Sequence, residues 1–195
     1  MIFILCDLEA TCFAKWDRAH RGLFDFRPFN EIIEIGAHVT TFQDDFLTVN
    51  DSFHALVHPF INPILSQYCK DLTNLSQELI DQSSLFPLVY MKFKKWVQQF
   101  PEYRIVTWGN YDCRQFVQDC RLHDIDPTFF SRYHFSLKHA YMKIRNKGKY
   151  CGLKSSLERE GFHFEGTPHS AMADAWNMQH LLHEFFDKLD FSLPV

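Results

Sequence analysis

The chain has 195 residues, with 20 Lys and Arg against 24 Asp and Glu and a formal net charge of −4. Apolar residues make up 46% and charged residues 23%, which is typical of globular proteins and excludes a disordered chain or a fibrous repeat. No apolar run reaches the roughly 18 residues of a membrane span, so we expect one domain over residues 1–195 and no membrane partner.

Two features point to a cytoplasmic protein. The apolar start at residues 1–5 lacks the basic region and small-residue cleavage site of a secretory signal. The six cysteines contain no C-x-x-C pair and no zinc-like spacing, so we expect reduced thiols that pack as small apolar groups.

The first predicted elements are strands. Residues 1–8 are apolar on both alternating faces, as in a strand buried on both sides. A long, mildly basic loop with several aromatic residues is predicted at 13–30. Two strands at 32–41 and 46–57 follow, joined by a polar turn at 43–45.

Helices dominate the rest of the chain. Apolar residues at three- and four-residue spacing predict an amphipathic helix over 86–100, beginning at Ser83 or Ser84 and ending before Pro101. A strand at 104–108 leads through a Gly-Asn turn into a helix over 111–123. Short helices at 137–144 and 153–160 precede a long one over 171–189. This order predicts an α/β fold with one mixed central sheet flanked by helices.

Two carboxylates close the first strand. Side chains alternate along a strand, so Asp7 and Glu9 share a face with Phe3 and Leu5. Ligand sites of open α/β sheets lie at the carboxyl ends of the strands. The alternative is that the strand has ended and both acids lie in water.

Asp174 is the third acid of interest. It lies four, seven and eleven residues before Met178, Leu181 and Phe185, so it faces inward with them and needs a cation. The alternative is a carboxylate that faces the helix dipole. His169, five residues earlier, is placed to reach the same site; the alternative is an ordinary surface or core histidine, one of eleven in the chain. Asp112 by itself is an ordinary acid of a first helical turn.

Together Asp7, Glu9, Asp112 and Asp174 carry four negative charges, which two divalent cations would balance. Oxygen-only ligands suit Mg²⁺ or Mn²⁺ rather than zinc. Two such ions, about 3.5–4 Å apart, stabilise the attacking and leaving oxygens of a phosphoryl displacement.

Three motifs resemble the DEDDh 3′→5′ exonucleases of the DnaQ-like superfamily, which has the RNase H-like fold. They are CDLEATC at 6–12, WGNYD at 108–112 and HSAMADAWN at 169–177, and the resemblance covers nearly the whole chain. It is greatest for the Eri-type exoribonuclease branch. Asn110 and Ala173 depart from the pattern, since many relatives carry an additional acid there.

The resemblance implies a role for each core residue. Asp7, Glu9 and Asp174 would hold two divalent cations, Mg²⁺ or Mn²⁺, with Asp112 completing the site directly or through water. His169 would act as general base. The implied reaction is in-line attack of an activated water on the 3′-terminal phosphodiester, which releases a nucleoside 5′-monophosphate.

The implied partner is single-stranded nucleic acid with a free 3′ end, RNA rather than DNA. Residues 138–154 hold six Lys and Arg and no acid, a composition that suits phosphate binding, or else an ordinary solvated surface. The loop at 13–30 is the expected rim of the site. The predicted substrate contacts are Ala10, Thr11, Trp108, Asn110, Lys147 and Lys149.

Two alternatives stay open. One is an exonuclease directed at DNA or at very short oligonucleotides, and the other is a protein that binds RNA on the same fold without cutting it.

Overall fold

The computed structural model describes residues 1–14, 29–43, 46–146 and 151–191. Its centre is a six-stranded mixed sheet in the order β4-β3-β2-β1-β5-β6. The strands are β1 (Ile2–Ala10), β2 (Ile32–Gln43), β3 (Phe46–His58), β4 (Ser84–Leu85), β5 (Tyr103–Thr107) and β6 (His134–Ser136). The predicted α/β fold with one mixed sheet is confirmed.

The apolar strand β1 lies inside the sheet. It pairs antiparallel with β2 and parallel with β5, and β5 pairs parallel with β6. The register places Leu5 opposite His38, Asp7 opposite Gly36, and Glu9 opposite Glu34. Because cross-strand partners point to the same face, all of these side chains lie on one side of the sheet.

Helices cover both faces of the sheet. In chain order they are α1 (Gln67–Thr73), α2 (Gln77–Asp81), α3 (Phe86–Val97), α4 (Tyr111–Leu122), α5 (Thr128–Ser131), α6 (Leu137–Ile144), α7 (Leu153–Arg159) and α8 (Ala171–Glu184). Among the described residues, no helix combines the length and the apolar character needed to cross a bilayer.

The two faces of β1 enter two separate cores. Ile4, Cys6 and Leu8 pack with α3, α4 and α5 on one side. Phe3 and Leu5 pack with α6, α7 and α8 on the other. Asp7 and Glu9 continue the second face, so they point towards α8.

Two predicted helix ends were wrong. Ser83 and Ser84 do not cap α3: Ser84–Leu85 pair with β3 as the short strand β4, and Leu85 precedes a helix whose first turn holds a proline. The last helix ends at Glu184 instead of Leu189, because the chain turns into a short 3₁₀ helix (Phe186–Lys188). That turn stacks the Phe186 ring 3.7 Å from Phe42. Most of the predicted loop at 13–30 and part of the turn at 43–45 lie outside the described residues.

Candidate active site

Three of the four predicted acids come together. Asp7 and Glu9 lie at the end of β1, and Asp174 lies in the first turn of α8. One carboxylate oxygen from each residue lies within 4.8 Å of the others. Strand alternation and the helical period thus bring three side chains, far apart in the chain, to one point.

The electrostatics of this cluster are unfavourable without a counter-charge. Burial, together with repulsion from Asp112 and Asp174, raises the pKa of Asp7 well above its usual value. Burial and repulsion from Asp174 raise the pKa of Glu9 to about 8. Within the part of the chain that the structure describes, no hydrogen-bond donor reaches either side chain. Three carboxylates that meet in this way, two of them without a protein donor, are the ligand set of a hard divalent cation, so the residues fit a metal site.

Asp112 lies beside this cluster rather than in it. It opens α4, is 4% exposed, and accepts a hydrogen bond at 3.3 Å from the backbone N–H of Leu8, which stands between Asp7 and Glu9. Burial raises the pKa of Asp112 to about 7, against hydrogen bonds that lower it. The charge of Asp112 also raises the pKa of Asp7, after burial the largest cause of that shift.

His169 precedes α8 and is exposed to solvent. Its backbone N–H donates to Oδ2 of Asp174 at 2.8 Å, so the predicted base and the predicted metal ligand share one rigid turn. The φ angle of His169 is +64°, a left-handed conformation that only a few per cent of non-glycine residues adopt, with His, Asn and Asp the most frequent among them. Such conformations persist where the surrounding structure imposes them, and they cluster at functional sites.

A fifth carboxylate, Glu34, was not predicted from the sequence. Glu34 on β2 stands opposite Glu9, is 3% exposed, and raises the pKa of Glu9 and of Asp174. Its signal was present, because polar residues occupy alternate positions in an otherwise apolar strand. The pattern alone does not place Glu34 beside the acids, because that depends on the register that pairs Glu34 with Glu9.

A pocket of about 160 Å³ lies at the beginning of α4, and two of the predicted substrate contacts line it. The Trp108 indole lines it while donating to the carbonyl of Cys151 at 3.2 Å. The side-chain oxygen of Asn110 is buried and has no hydrogen-bond partner within the described ranges. The other lining residues are Gly109, Tyr111, Arg114, Lys138, His139 and Met142. The lining of this pocket therefore includes basic as well as aromatic side chains.

Of the remaining predicted substrate contacts, the structure describes Ala10 and Thr11. The N–H of Thr11 donates to the carbonyl of Glu31, and its hydroxyl accepts from the N–H of Glu31, so both groups are engaged within the protein. Ala10 pairs with Ile32 at the end of β1. Lys147 and Lys149 lie outside the described residues.

Arg145, in the basic segment at 138–154, forms contacts within the protein. Arg145 forms an ion pair with Glu160, with Nε 3.0 Å from Oε1, and its guanidinium lies 4.8 Å from the centre of the Phe185 ring. It therefore serves the packing of α6 against α7 and α8 rather than a free phosphate-binding surface.

Comparison with known proteins agrees with this geometry. A family model described as Exonuclease (RNase_T) matches residues 4–182. A mouse protein named 3'-5' exoribonuclease 1 is 28% identical over 184 residues, covering 89% of this chain and 50% of that protein. The Drosophila melanogaster 3'-5' exonuclease Snipper is 27% identical over 207 residues, covering 92% and 67%. The chain thus spans about half the length of the mouse relative.

Solved structures confirm the predicted RNase H-like fold. The nuclease domain of 3'hExo, described as a DEDDh family member bound to rAMP, superposes with a TM-score of 0.80 at 24% identity and covers 95% of this chain and 92% of that one. Cell-death related nuclease 4 gives a TM-score of 0.74 at 19% identity, covering 95% and 64%. Three converging acids lie within this fold, and with a family model that matches residues 4–182 the chain belongs to the Exonuclease (RNase_T) family.

Proposed function

We propose that this protein is a metal-dependent 3′→5′ exonuclease that removes nucleotides from the 3′ end of single-stranded RNA. The observation that carries the proposal is the meeting of Asp7, Glu9 and Asp174 within 4.8 Å, with no donor among the described residues on the first two and with His169 on the same turn as the third. A structural cluster of acids would instead be satisfied by amides or cationic side chains.

The proposed cofactors are two divalent cations, Mg²⁺ or Mn²⁺, since the ligand set consists of oxygen atoms alone. Asp7, Glu9 and Asp174 would hold them directly, and Asp112 would complete the site directly or through water. When bound, the cations supply charge that stabilises the attacking and leaving oxygens of a phosphoryl transfer. Their charge would offset the burial and the mutual repulsion that raise the pKa values of Asp7 and Glu9.

In the proposed reaction His169 takes a proton from the attacking water. The water oxygen forms a bond to the terminal phosphorus, and the bond from phosphorus to the 3′ oxygen of the preceding nucleotide breaks. That oxygen takes up a proton, and the product leaves as a nucleoside 5′-monophosphate. The hydrogen bond between the His169 backbone and Asp174 supports this role, because it fixes the histidine relative to the acid cluster.

RNA is the proposed substrate because several relatives are named exoribonucleases, among them the mouse protein. The pocket lined by Trp108 and Asn110 supports a nucleotide site, because the basic side chain of Arg114 also lines it and can face a phosphate. DNA stays the second candidate, because the Drosophila relative is named an exonuclease without reference to RNA.

The test uses a 5′-labelled single-stranded RNA and a DNA of the same sequence, incubated with Mg²⁺ or Mn²⁺. We expect a descending ladder on RNA and a slower one on DNA. Asp174→Ala is the control that removes a proposed ligand and should stop both. A ladder on DNA alone would support the second candidate, and a shifted but uncut RNA would support a protein that only binds.

We propose further that residues 1–195 form one exonuclease domain and that the protein is cytoplasmic. The location rests on the cysteines, because all six are free thiols, as expected in a reducing compartment. Redox-sensitive labelling of the thiols in cells would test it.

A further inference from the structure

Strand β2 holds the beginning of α8 through three alternate residues. Glu34, Gly36 and His38 lie on the face that also carries Leu5, Asp7 and Glu9, and each contacts the first turn of the helix. We call these three residues the β2 cradle. Asp174 belongs to the helical turn that the β2 cradle contacts, and His169 lies two residues before Ala171, where that turn begins.

Glu34 supplies a helix cap from a distant part of the chain. The residue at the usual capping position, Ser170, makes no side-chain hydrogen bond to the helix. Instead Oε2 of Glu34 accepts from the backbone N–H of Ala171, the first residue of α8, at 3.0 Å. A carboxylate at this end satisfies a free amide and also interacts favourably with the helix dipole.

The other two members set the distance between strand and helix. A Cβ at Gly36 would lie 2.3 Å from the carbonyl carbon of Ala171, so only glycine allows this approach. Nε2 of His38 donates to the carbonyl of Met172 at 3.1 Å, and its Nδ1 accepts from the Ser52 hydroxyl at 2.8 Å. Burial lowers the pKa of His38, which keeps the ring neutral and both bonds possible.

Glu34 is itself held in place from β3. Nε2 of His54 lies 2.8 Å from Oε1 of Glu34, and it must carry the proton because a carboxylate only accepts. The two oxygens of Glu34 thus have different partners, one on the sheet and one on the helix. A side chain with both oxygens engaged has one orientation, which is what a positioning role requires.

We propose that Glu34 is a positioning residue of the active site, whose carboxylate fixes the first turn of α8 so that Asp174 meets Asp7 and Glu9. The inference rests on the metal role proposed above for these three acids. It assigns to Glu34 neither a metal nor a substrate contact. Ala171 is three residues before Asp174, so a shift of its amide moves the Asp174 side chain with it.

Two conservative substitutions of Glu34 separate the effect of its side-chain length from the effect of its negative charge. Glu34→Asp keeps the charge but withdraws the carboxylate by about 1.5 Å, so it cannot reach both partners. Glu34→Gln keeps the reach: its oxygen accepts from Ala171, and its amide donates to the other tautomer of His54. If Glu34 acts only through its negative charge, Glu34→Gln should weaken cation binding more than Glu34→Asp. If Glu34 acts by positioning α8, Glu34→Asp should weaken cation binding more.

The measurement is Mn²⁺ affinity, from the free-Mn²⁺ signal in electron paramagnetic resonance, on the full chain without nucleic acid. We expect Glu34→Asp to weaken Mn²⁺ binding by about 10- to 100-fold, the usual effect of losing a group that orients a metal ligand. Glu34→Gln should bind more tightly than Glu34→Asp. The opposite order, or parental affinity in both variants, would overturn the proposal.

Glu31→Asp is the matched control. Glu31 is a buried carboxylate near the start of the same strand, and it accepts from the backbone N–H groups of Phe60, Ile61 and Asn62 rather than from α8. Its shortening should lower the free energy of unfolding and leave Mn²⁺ affinity unchanged. An equal loss of affinity in this control would mean general loosening and would also overturn the inference. If the parental protein fails to bind Mn²⁺, or if the Asp174→Ala variant binds it as tightly as the parent, the proposed function is refuted as well. Failure of the Glu34 proposal alone is therefore distinguishable from failure of the proposed function.

Discussion

Replacing Glu9 by Gln should make the metal-free protein more stable while it abolishes metal binding. Burial and the charges of Asp174, Glu34 and Asp112 raise the pKa of Glu9 from 4.5 to about 8. Between these two values the folded protein binds more protons at this carboxyl than the unfolded chain does. The free energy of unfolding therefore falls as the pH rises through this interval, and an uncharged side chain avoids the loss.

The magnitude follows from the same two values. A change from 4.5 to about 8 corresponds to an upper limit of roughly 5 kcal/mol above pH 8. Asp7 and Asp174 are repelled by the same group of charges, so replacing Glu9 also changes how these two acids titrate. The single substitution therefore gains only part of the upper limit in the free energy of unfolding. We expect a gain on the order of 2–3 kcal/mol at pH 8 and less than about 1 kcal/mol at pH 5.

The assay is urea-induced unfolding in EDTA at pH 5 and pH 8, for the parental protein and for Glu9→Gln. Comparing the two proteins at each pH cancels the titration of other groups, such as His134, whose pKa burial lowers to about 4. Mn²⁺ should then stabilise the parental protein and leave the variant unchanged. A variant that is less stable than its parent at pH 8, or a difference that does not depend on pH, would refute the electrostatic reasoning.

Four further outcomes are expected. Asp174→Ala should eliminate both cleavage and tight Mn²⁺ binding with the circular dichroism spectrum unchanged. His169→Asn, which tolerates a left-handed backbone, should lower kcat by about 10²- to 10⁴-fold at parental Mn²⁺ affinity, and a collapse of that affinity would make it a ligand instead. Asn110→Ala should raise KM for RNA without lowering the urea midpoint, because it removes an unpartnered oxygen. Gly36→Ala should lower the free energy of unfolding by more than about 2 kcal/mol, since its Cβ would meet Ala171.

The convergence of Asp7, Glu9 and Asp174 was predictable from the sequence because it depends on local geometry. Alternation along β1 placed the first two acids on one face, and the helical period placed the third among core residues. The fold then needed only to pack α8 on that face, which the apolar residues of both elements require. The substrate contacts depend on no such regularity, so they stay predictions.

The β2 cradle was not predictable in the same way. Glu34, Gly36 and His38 acquire their role from the register that sets Gly36 opposite Asp7, and a shift of one residue would turn all three to the other face. The pairing of Arg145 with Glu160 is similar, because the acid comes from beyond the basic segment in the chain. Long-range pairing of this kind is set by the whole fold and not by any short stretch of sequence.

The buried and half-buried carboxylates of this protein differ in what satisfies them, and that difference supports the roles proposed for Asp7 and Glu9. Glu31 accepts from three backbone amides, and Asp119 accepts from the N–H of Ile32 at 3.0 Å and from Gln115, so neither needs a cation. Glu34 shares its two oxygens between His54 and α8. Within the described ranges, Asp7 and Glu9 receive no donor, although amides and cationic side chains satisfy acids elsewhere in the same fold. This contrast supports the proposal that Asp7 and Glu9 bind a charge that comes from outside the chain.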